Sequence, residues 1–340
     1  MWLGQQKPQT PEFAYMSNRD GDWDIYAMDA GSHLDYRMTI DLPTSDVPFN
    51  IIDDRYPAWS PDGQQLAYHS NVYGNWDLYL MDASGQSVRQ LTDDANDDAM
   101  PVWSPDGTRI AFHSLRSGNW DIYVLTLATG EVQRVTFYSG EDTFASWSPD
   151  GRQIAFDHRI NSASTSGSTA DISIVTVADG SIRPLVKQDG ADAGPVWSPD
   201  GAKIAFGSAM SKPFSFLNNS IGMIAASGGA IEYLTTAFDE NASIAGWNRA
   251  GLFFTASQRT ASFLFSVDPA TKAIRKYTPF DAAQGRPSEH WIGSSFTFTR
   301  DGQTVAFIEA GPTSLGETSV SPLAPALKSR TVTDMPAQTA

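Results

Sequence analysis

No cysteine occurs among the 340 residues. Disulfides, thiolate metal sites and cysteine nucleophiles are therefore excluded, and the absence fits a bacterial protein working outside the cytoplasm. Positive charge is scarce, with 23 lysines and arginines against 39 aspartates and glutamates and a formal net charge of −16. A nucleic-acid partner is excluded on this ground, because phosphate binding needs a basic footprint. Basic proteins, cations and neutral ligands fit the charge better. No apolar run approaches the ~20 residues of a membrane span, so no membrane insertion is expected. Met1 to Thr10 also lacks the apolar core of a signal peptide, since Trp2 and Leu3 are followed by Gln5, Gln6, Lys7 and Gln9. A periplasmic or secreted location is expected, with the signal absent from this chain.

What is present is repetition. Hydrophobic residues make up 41% of the chain, and 27 glycines and 20 prolines are spread along it, a composition suited to many short strands and turns. Trp-Ser-Pro-Asp-Gly occurs at Trp59, Trp103, Trp147 and Trp197, with degenerate copies at Trp247 and Phe298. A period of about 40–50 residues marks a solenoid, propeller or array. Within one unit, Met100–Trp103 is a short apolar run, and Ser104-Pro105-Asp106-Gly107 supplies a turn with proline and glycine where the backbone requires them. Arg109–Ser114, Asp121–Leu125 and Glu131–Thr136 then read as three further strands. Four antiparallel strands joined by short turns make one blade of a β-propeller.

Seven copies of the second strand are legible: Phe13–Ser17, Leu66–Ser70, Ile110–Ser114, Ile154–His158, Ile204–Ser208, Leu252–Ala256 and Val305–Glu309. The fold class expected is an all-β propeller of seven four-stranded blades, with six as the alternative. The first unit lacks its opening strand, and Asp334-Met335-Pro336-Ala337-Gln338 aligns with Ala99–Trp103. The C-terminal strand is thus expected to close the ring. Residues 12–340 form one expected domain, preceded by an extension over 1–11.

The phrases W-S-P-D-G-x-x-I-A-F-x-S at Trp103–Ser114, G-N-W-D-I-Y-V at Gly118–Val124 and R-x-L-T at Arg89–Thr92 resemble the TolB-type propeller repeat, related to WD-repeat propellers. Leu252–Tyr277 and Thr331–Asp334 are similar to the later blades of prolyl oligopeptidase-family propellers. The resemblance implies the fold and leaves several roles open, because one fold hosts many functions. TolB itself is a periplasmic partner-binding protein, whereas the oligopeptidase propeller is a non-catalytic gate for a hydrolase domain. That domain would carry a G-x-S-x-G nucleophile elbow, which this sequence does not contain.

The repeated tryptophans read as packing residues and Asp62, Asp106, Asp150 and Asp200 as turn residues. A second tryptophan set, Trp23, Trp76 and Trp120, precedes the third strand in three successive units and is a candidate aromatic binding patch. The penultimate position of the second strand carries Met16, His69, His113 and Asp157 in turn. His69, His113 and Asp157 are candidate ligands for calcium or zinc, set against the reading of satisfied inter-blade side chains with no cofactor. His158 should point to the opposite strand face. The loops before each first strand gather at one end and hold Asp53, Asp54, Asp93, Asp94, Asp97, Asp98, Glu141, Asp142, Asp239 and Glu240. Arg286 and His290 are basic exceptions there. Long insertions over 158–170 and 208–219 rise from the same end, where loops on a rigid scaffold carry binding.

The leading expectation is a monomeric, non-catalytic scaffold binding a protein or peptide through this acidic face and funnel. The alternatives are the propeller of an oligopeptidase-like hydrolase, or a metal-assisted lyase or lactonase. No catalytic residue is assigned.

Overall fold

The computed structural model describes residues 13–19, 21–28, 35–39, 52–159, 170–211, 218–258, 261–281, 286–287, 292–299, 302–310, 317–327 and 330–331. Seven sheets follow one another along the chain, each a local antiparallel meander, and the described residues contain no helix. This is the strand organisation of a seven-bladed β-propeller, which sets the six-blade alternative aside.

The first sheet has three strands, Phe13–Ser17, Asp24–Met28 and Asp35–Arg37. Among the described residues it has no opening strand; the C-terminal segment 334–340 expected to supply it lies outside them. The second sheet runs Asp54–Trp59, Gln65–Ser70, Asp77–Asp82 and Arg89–Gln90. The third runs Asp98–Trp103, Arg109–Ser114, Asp121–Thr126 and Glu131–Arg134. The fourth comprises Glu141–Trp147, Gln153–Arg159, Ala170–Thr176 and Ser181–Val186. The fifth comprises Asp192–Trp197, Lys203–Ser208, Ser220–Ala225 and Glu232–Tyr233.

The sixth sheet departs from the four-strand pattern. Ser243–Asn248, Gly251–Gln258, Ala261–Val267 and Ile274–Asp281 are extended by Arg286–Pro287. Ala326–Leu327 then pairs in parallel with Thr278–Pro279. The seventh sheet holds Ile292–Phe298, Thr304–Ala310, Glu317–Pro322 and Arg330–Thr331.

Two compact units emerge. One comprises Met1–Ile154, His158–Ser162 and Ile174–Arg183; the other comprises Ala155–Asp157, Ala163–Ser173 and Pro184–Ala340. In the first unit, the alternating apolar residues of neighbouring sheets interdigitate. Leu66, Tyr68, Tyr79 and Met81 pack with Ile25, Ala27 and Tyr36, while Ala67, Leu78 and Leu80 pack with Ile110, Phe112 and Tyr123. Phenylalanines dominate the core of the second unit: Phe253, Phe254, Phe265 and Phe307 are each at most 2% exposed.

The recurring motif residues are structural. Ser104 Oγ donates to Asp106 Oδ1 at 2.5 Å, the Thr108 amide donates to the same oxygen at 3.0 Å, and Gly107 takes φ 69° to close the turn. The motif tryptophan ties one sheet to the preceding one: the indole N–H of Trp103 donates to Ala58 O at 2.9 Å and that of Trp147 to Val102 O at 3.1 Å. The third strand begins with an aspartate anchored by the last threonine of R-x-L-T. Thr92 Oγ1 lies 3.3 Å from Asp77 Oδ1 and accepts the Leu78 amide at 2.9 Å, and Thr136 repeats this with Asp121 and Ile122. These bonds satisfy carboxylates with almost no solvent access, which otherwise cost heavily.

Candidate functional site

The first strand begins with an aspartate in the second, third and fifth sheets, Asp54, Asp98 and Asp192, and carries Asp142 as its second residue in the fourth; two residues after each aspartate the backbone turns over. Tyr56, Met100 and Phe144 hold φ values of 53°, 55° and 54°, and Gly194 occupies the equivalent position at 64°. In the second and third sheets this is a β-bulge, the register shifting between Arg55 and Ala58 and between Ala99 and Val102; a shift between Ala193 and Val196 marks the same place in the fifth. Bulges re-aim side chains at strand ends. A left-handed conformation costs a residue with a Cβ about 1–2 kcal/mol, so three large side chains at this position represent retained strain. Such strain concentrates at functional sites. Tyr56 and Phe144 are 45% and 51% exposed, unusual for rings of this size among the described residues.

Side chains from the preceding sheet cap the bulges. The Met100 amide donates to His69 Nδ1 at 3.0 Å, and the Tyr56 amide points to Met16 Sδ at 3.1 Å. The series Met16, His69 thus has the inter-blade role that the sequence offers beside metal binding. With Nδ1 accepting, the neutral His69 ring carries its proton on Nε2. The ring also packs edge-on against Trp76, at 4.7 Å between centroids, and beneath Tyr56 at 5.2 Å.

These residues wall a cavity of about 430 Å³, lying entirely within the first unit and more apolar than polar. Tyr56, Met100 and Phe144 line it together with His69, His113, Trp76 and Trp120, and with Arg55, Asp97, Ala99, Glu141, Thr143 and Arg159. The volume lies in the range of small-ligand pockets. Its charges are balanced locally. Arg55 Nη2 meets Asp53 Oδ2 at 2.6 Å, with its guanidinium 5.6 Å from the Trp23 ring and 5.4 Å from that of Trp76. Arg159 pairs with Glu141 at 3.3 Å. Asp97 Oδ1 accepts the Trp76 amide, as Asp53 Oδ1 accepts that of Trp23, both at 3.1 Å.

The structure therefore brings His69, His113, Trp76, Trp120, Asp97 and Glu141 to one cavity, with Asp53 and Trp23 behind its Arg55 wall. All three tryptophans are half-buried, so they form no freely exposed patch. The acidic residues are largely occupied with internal bonds. Asp54, Asp98 and Asp142 are buried, Asp98 receiving Arg116 at 2.6 Å and Asp142 lying 2.7 Å from His158 Nδ1. Asp94 is 3.6 Å from Arg116, while Asp93 is exposed. His158 stacks on Tyr138, with ring centroids 4.1 Å apart. In the second unit, Asp239 is exposed, Glu240 half-buried, and Arg286 sits in the short strand paired with Phe280–Asp281. His290, 160–169 and 212–217, which include most of the two long insertions, lie outside the described residues.

Among the described residues no group of three or more histidine, aspartate or glutamate side chains is placed to hold a metal ion. His69, His113 and Asp157 do not form such a set. The Nδ1 lone pair of His69 is already engaged by the Met100 amide.

Residues missed at sequence level are Arg55, Tyr56, Met100, Phe144 and Arg159. A signal for the bulge was available: Tyr56, Met100 and Phe144 each stand three residues before the motif tryptophan, and the fourth copy carries glycine there, the residue that adopts positive φ freely.

Burial holds His113 down to about 4, and burial reinforced by Arg55 and His113 holds His69 down to about 3. Both rings are neutral in the folded protein, whereas an unfolded chain protonates them near 6.5. Below pH 6.5 the unfolded state therefore binds protons that the folded state does not, and stability falls with acidification until about pH 4. Burial raises Asp24, Asp77 and Asp192 to about 6, which acts with the opposite sign, stability falling as pH rises from about 4 to 6. A difference measurement isolates the histidine. Urea unfolding of wild type and His113→Leu at pH 6.5, 5.5 and 4.5 should show wild type losing more stability, by up to about 1.4 kcal/mol per pH unit. Parallel pH profiles would show that His113 is not buried neutral.

Residues 53–165 match the family model of the TolB β-propeller domain. An uncharacterised protein of Agrobacterium fabrum is 31% identical over 94 residues, or 28% of this chain and 29% of that protein. The TolB crystal structure from Acinetobacter baumannii is 26% identical, covering 81% of this chain and 63% of TolB with a TM-score of 0.55. The chain thus spans less than two thirds of either relative. The β-propeller domain of the trilobed protease from Pyrococcus furiosus superposes over 96% of this chain and all of that domain, at 13% identity and a TM-score of 0.69. Oligogalacturonate lyase from Vibrio parahaemolyticus covers 94% of this chain and 84% of its own, also at 13% identity, with a TM-score of 0.68. These last two likenesses establish the fold alone. Every residue of the cavity wall thus falls in the segment, 53–165, that is similar to the TolB β-propeller domain.

Proposed function

We propose that this propeller is a non-catalytic binding module that receives a segment of a partner protein in the cavity of its first unit, outside the cytoplasm. The observation that carries this reading is the left-handed placement of Tyr56, Met100 and Phe144 around one cavity mouth. Large apolar side chains held in strained backbone serve a contact surface better than they serve stability, since glycine would fill the position without strain. The wall chemistry supports binding over catalysis: the arginines are paired and the histidines held well below neutral. Similarity to TolB and the absence of cysteine are in keeping with a periplasmic or secreted setting.

A random peptide library displayed on phage and selected on the immobilised protein tests this. Enriched peptides should compete with one another, and should lose about tenfold or more in affinity, roughly 1.4 kcal/mol, on the double variant Tyr56→Ala, Phe144→Ala. Thermal unfolding of that variant should be unchanged, because both side chains are exposed. No enrichment, or equal binding to the double variant, would reject the assignment.

A further inference from the structure

The wall of the cavity contains a polar atom that no described residue satisfies. His113 is 5% exposed and lines the cavity, and its Nε2, closed off from solvent, has no hydrogen-bond partner among the described residues, so that a ligand reaches it as the imidazole turns toward the cavity. The Nε atoms of Arg55 and Arg159, in the same wall, also lack partners. Buried polar atoms are nearly always paired, and an exception calls for an explanation. Here the exception coincides with a cavity large enough for a ligand and rimmed by aromatic side chains.

Resting on the binding reading above, we infer that the cavity accepts a phenolic side chain, a tyrosine of the partner segment, whose hydroxyl pairs with His113. Several observations restrict the choice. Arg55 and Arg159 are each matched by a carboxylate, at 2.6 and 3.3 Å, so a charged ligand group would enter without a free counter-charge and lose its hydration uncompensated. A purely apolar ring would suit Tyr56, Phe144 and Trp76 but leave His113 Nε2 as it stands. A serine or threonine hydroxyl would leave most of the roughly 430 Å³ unfilled. A phenol is neutral, flat and amphipathic. Its O–H donates or accepts, so it suits either tautomer of the imidazole. His113 would then be the residue that distinguishes tyrosine from phenylalanine.

The test uses N-acetyl-tyrosinamide and N-acetyl-phenylalaninamide as probes, titrated at millimolar concentration into the full chain and followed by NMR with 15N-labelled histidine. The tyrosine amide should bind about tenfold or more tightly, because a site built around a hydroxyl rejects the analogue lacking it. The His113 Nε2 resonance should move with the tyrosine amide and not with the phenylalanine amide. In His113→Leu the two affinities should converge. Equal affinities in wild type, a preference that survives in His113→Leu, an unmoved His113 resonance, or no binding of either amide would each overturn the assignment. If His113→Leu fails to fold, the wild-type affinity ratio and resonance decide alone. Peptides from the library that depend on Tyr56 and Phe144 but lack tyrosine would reject the phenol and leave the binding site intact, so the two failures are separable.

Discussion

Replacing Arg116 by alanine is expected to destabilise the protein by about 3–5 kcal/mol, the usual cost of removing one partner from a buried ion pair. Asp98, at the head of the first strand of the third sheet, is 0% exposed. It receives Arg116 Nη2 at 2.6 Å on one oxygen and Nε at 3.3 Å on the other. Without the guanidinium a carboxylate would remain sealed from water and without its counter-ion, two residues from the left-handed Met100. The guanidinium also lies 5.8 Å from the rings of Phe112 and Tyr123, so packing is lost with the charge. Guanidinium chloride unfolding checks the magnitude. Asp98→Asn introduced into Arg116→Ala should restore much of the loss, because the amide removes the stranded charge; the double-mutant cycle then reports the coupling. A loss below about 1 kcal/mol, the range of exposed pairs, would mean that water reaches Asp98.

The second large effect is expected at Phe254, in the second unit. Phe254→Ala should cost about 3–5 kcal/mol, as phenylalanine-to-alanine changes in closed cores do. The ring is 0% exposed. It stacks on Phe265 at 5.2 Å and meets Phe238 edge-on at 5.3 Å, while Phe238 also contacts Phe265 at 5.0 Å. Removing one member of this triangle leaves two aromatic faces bordering a void. Phe254→Leu, which retains most of the volume, should cost clearly less in the same unfolding experiment. Equal costs for the two substitutions would show that the surrounding core collapses to fill the space.

The sequence foretold the blades well because each blade is a local object. Turn residues with fixed backbone demands, Pro61, Pro105 and their following glycines, punctuate alternating apolar strands. The seven second strands accordingly appear within two residues of their expected limits. Degenerate copies obey the same logic with other chemistry. Where Trp103 donates its indole N–H across to Ala58, Phe298 has nothing to donate and instead packs on Phe253 at 4.6 Å between centroids. The extra strands of the sixth sheet were not legible, since neither Arg286–Pro287 nor Ala326–Leu327 carries periodicity in two residues.

The candidate site was legible in part. His69, His113, Trp76 and Trp120 stand out because they recur at one position in neighbouring repeats. What recurrence could not show is how those positions are used. The acidic loop residues look like a cation surface in the sequence because their partners are remote along the chain or hidden by it. Arg116 reaches Asp98 and Asp94, and Arg159 reaches Glu141, across a strand hairpin. Tyr56, Met100 and Phe144 share no chemistry beyond bulk; in the sequence only their common place three residues before the motif tryptophan, where the fourth copy carries Gly194, marks them as a set.

The parallel pairing of Ala326–Leu327 with Thr278–Pro279 bears on the order in which the chain folds. Every other strand pairing among the described residues joins strands close in sequence, which closes small loops at little entropic expense. This pair encloses nearly the whole seventh sheet between its halves, including Ile292–Phe298, Thr304–Ala310 and Glu317–Pro322. It therefore forms only once that intervening meander has collapsed. On a ribosome it becomes available only after Leu327 emerges, when six sheets have already been synthesised. The sixth sheet is thus begun early and finished late.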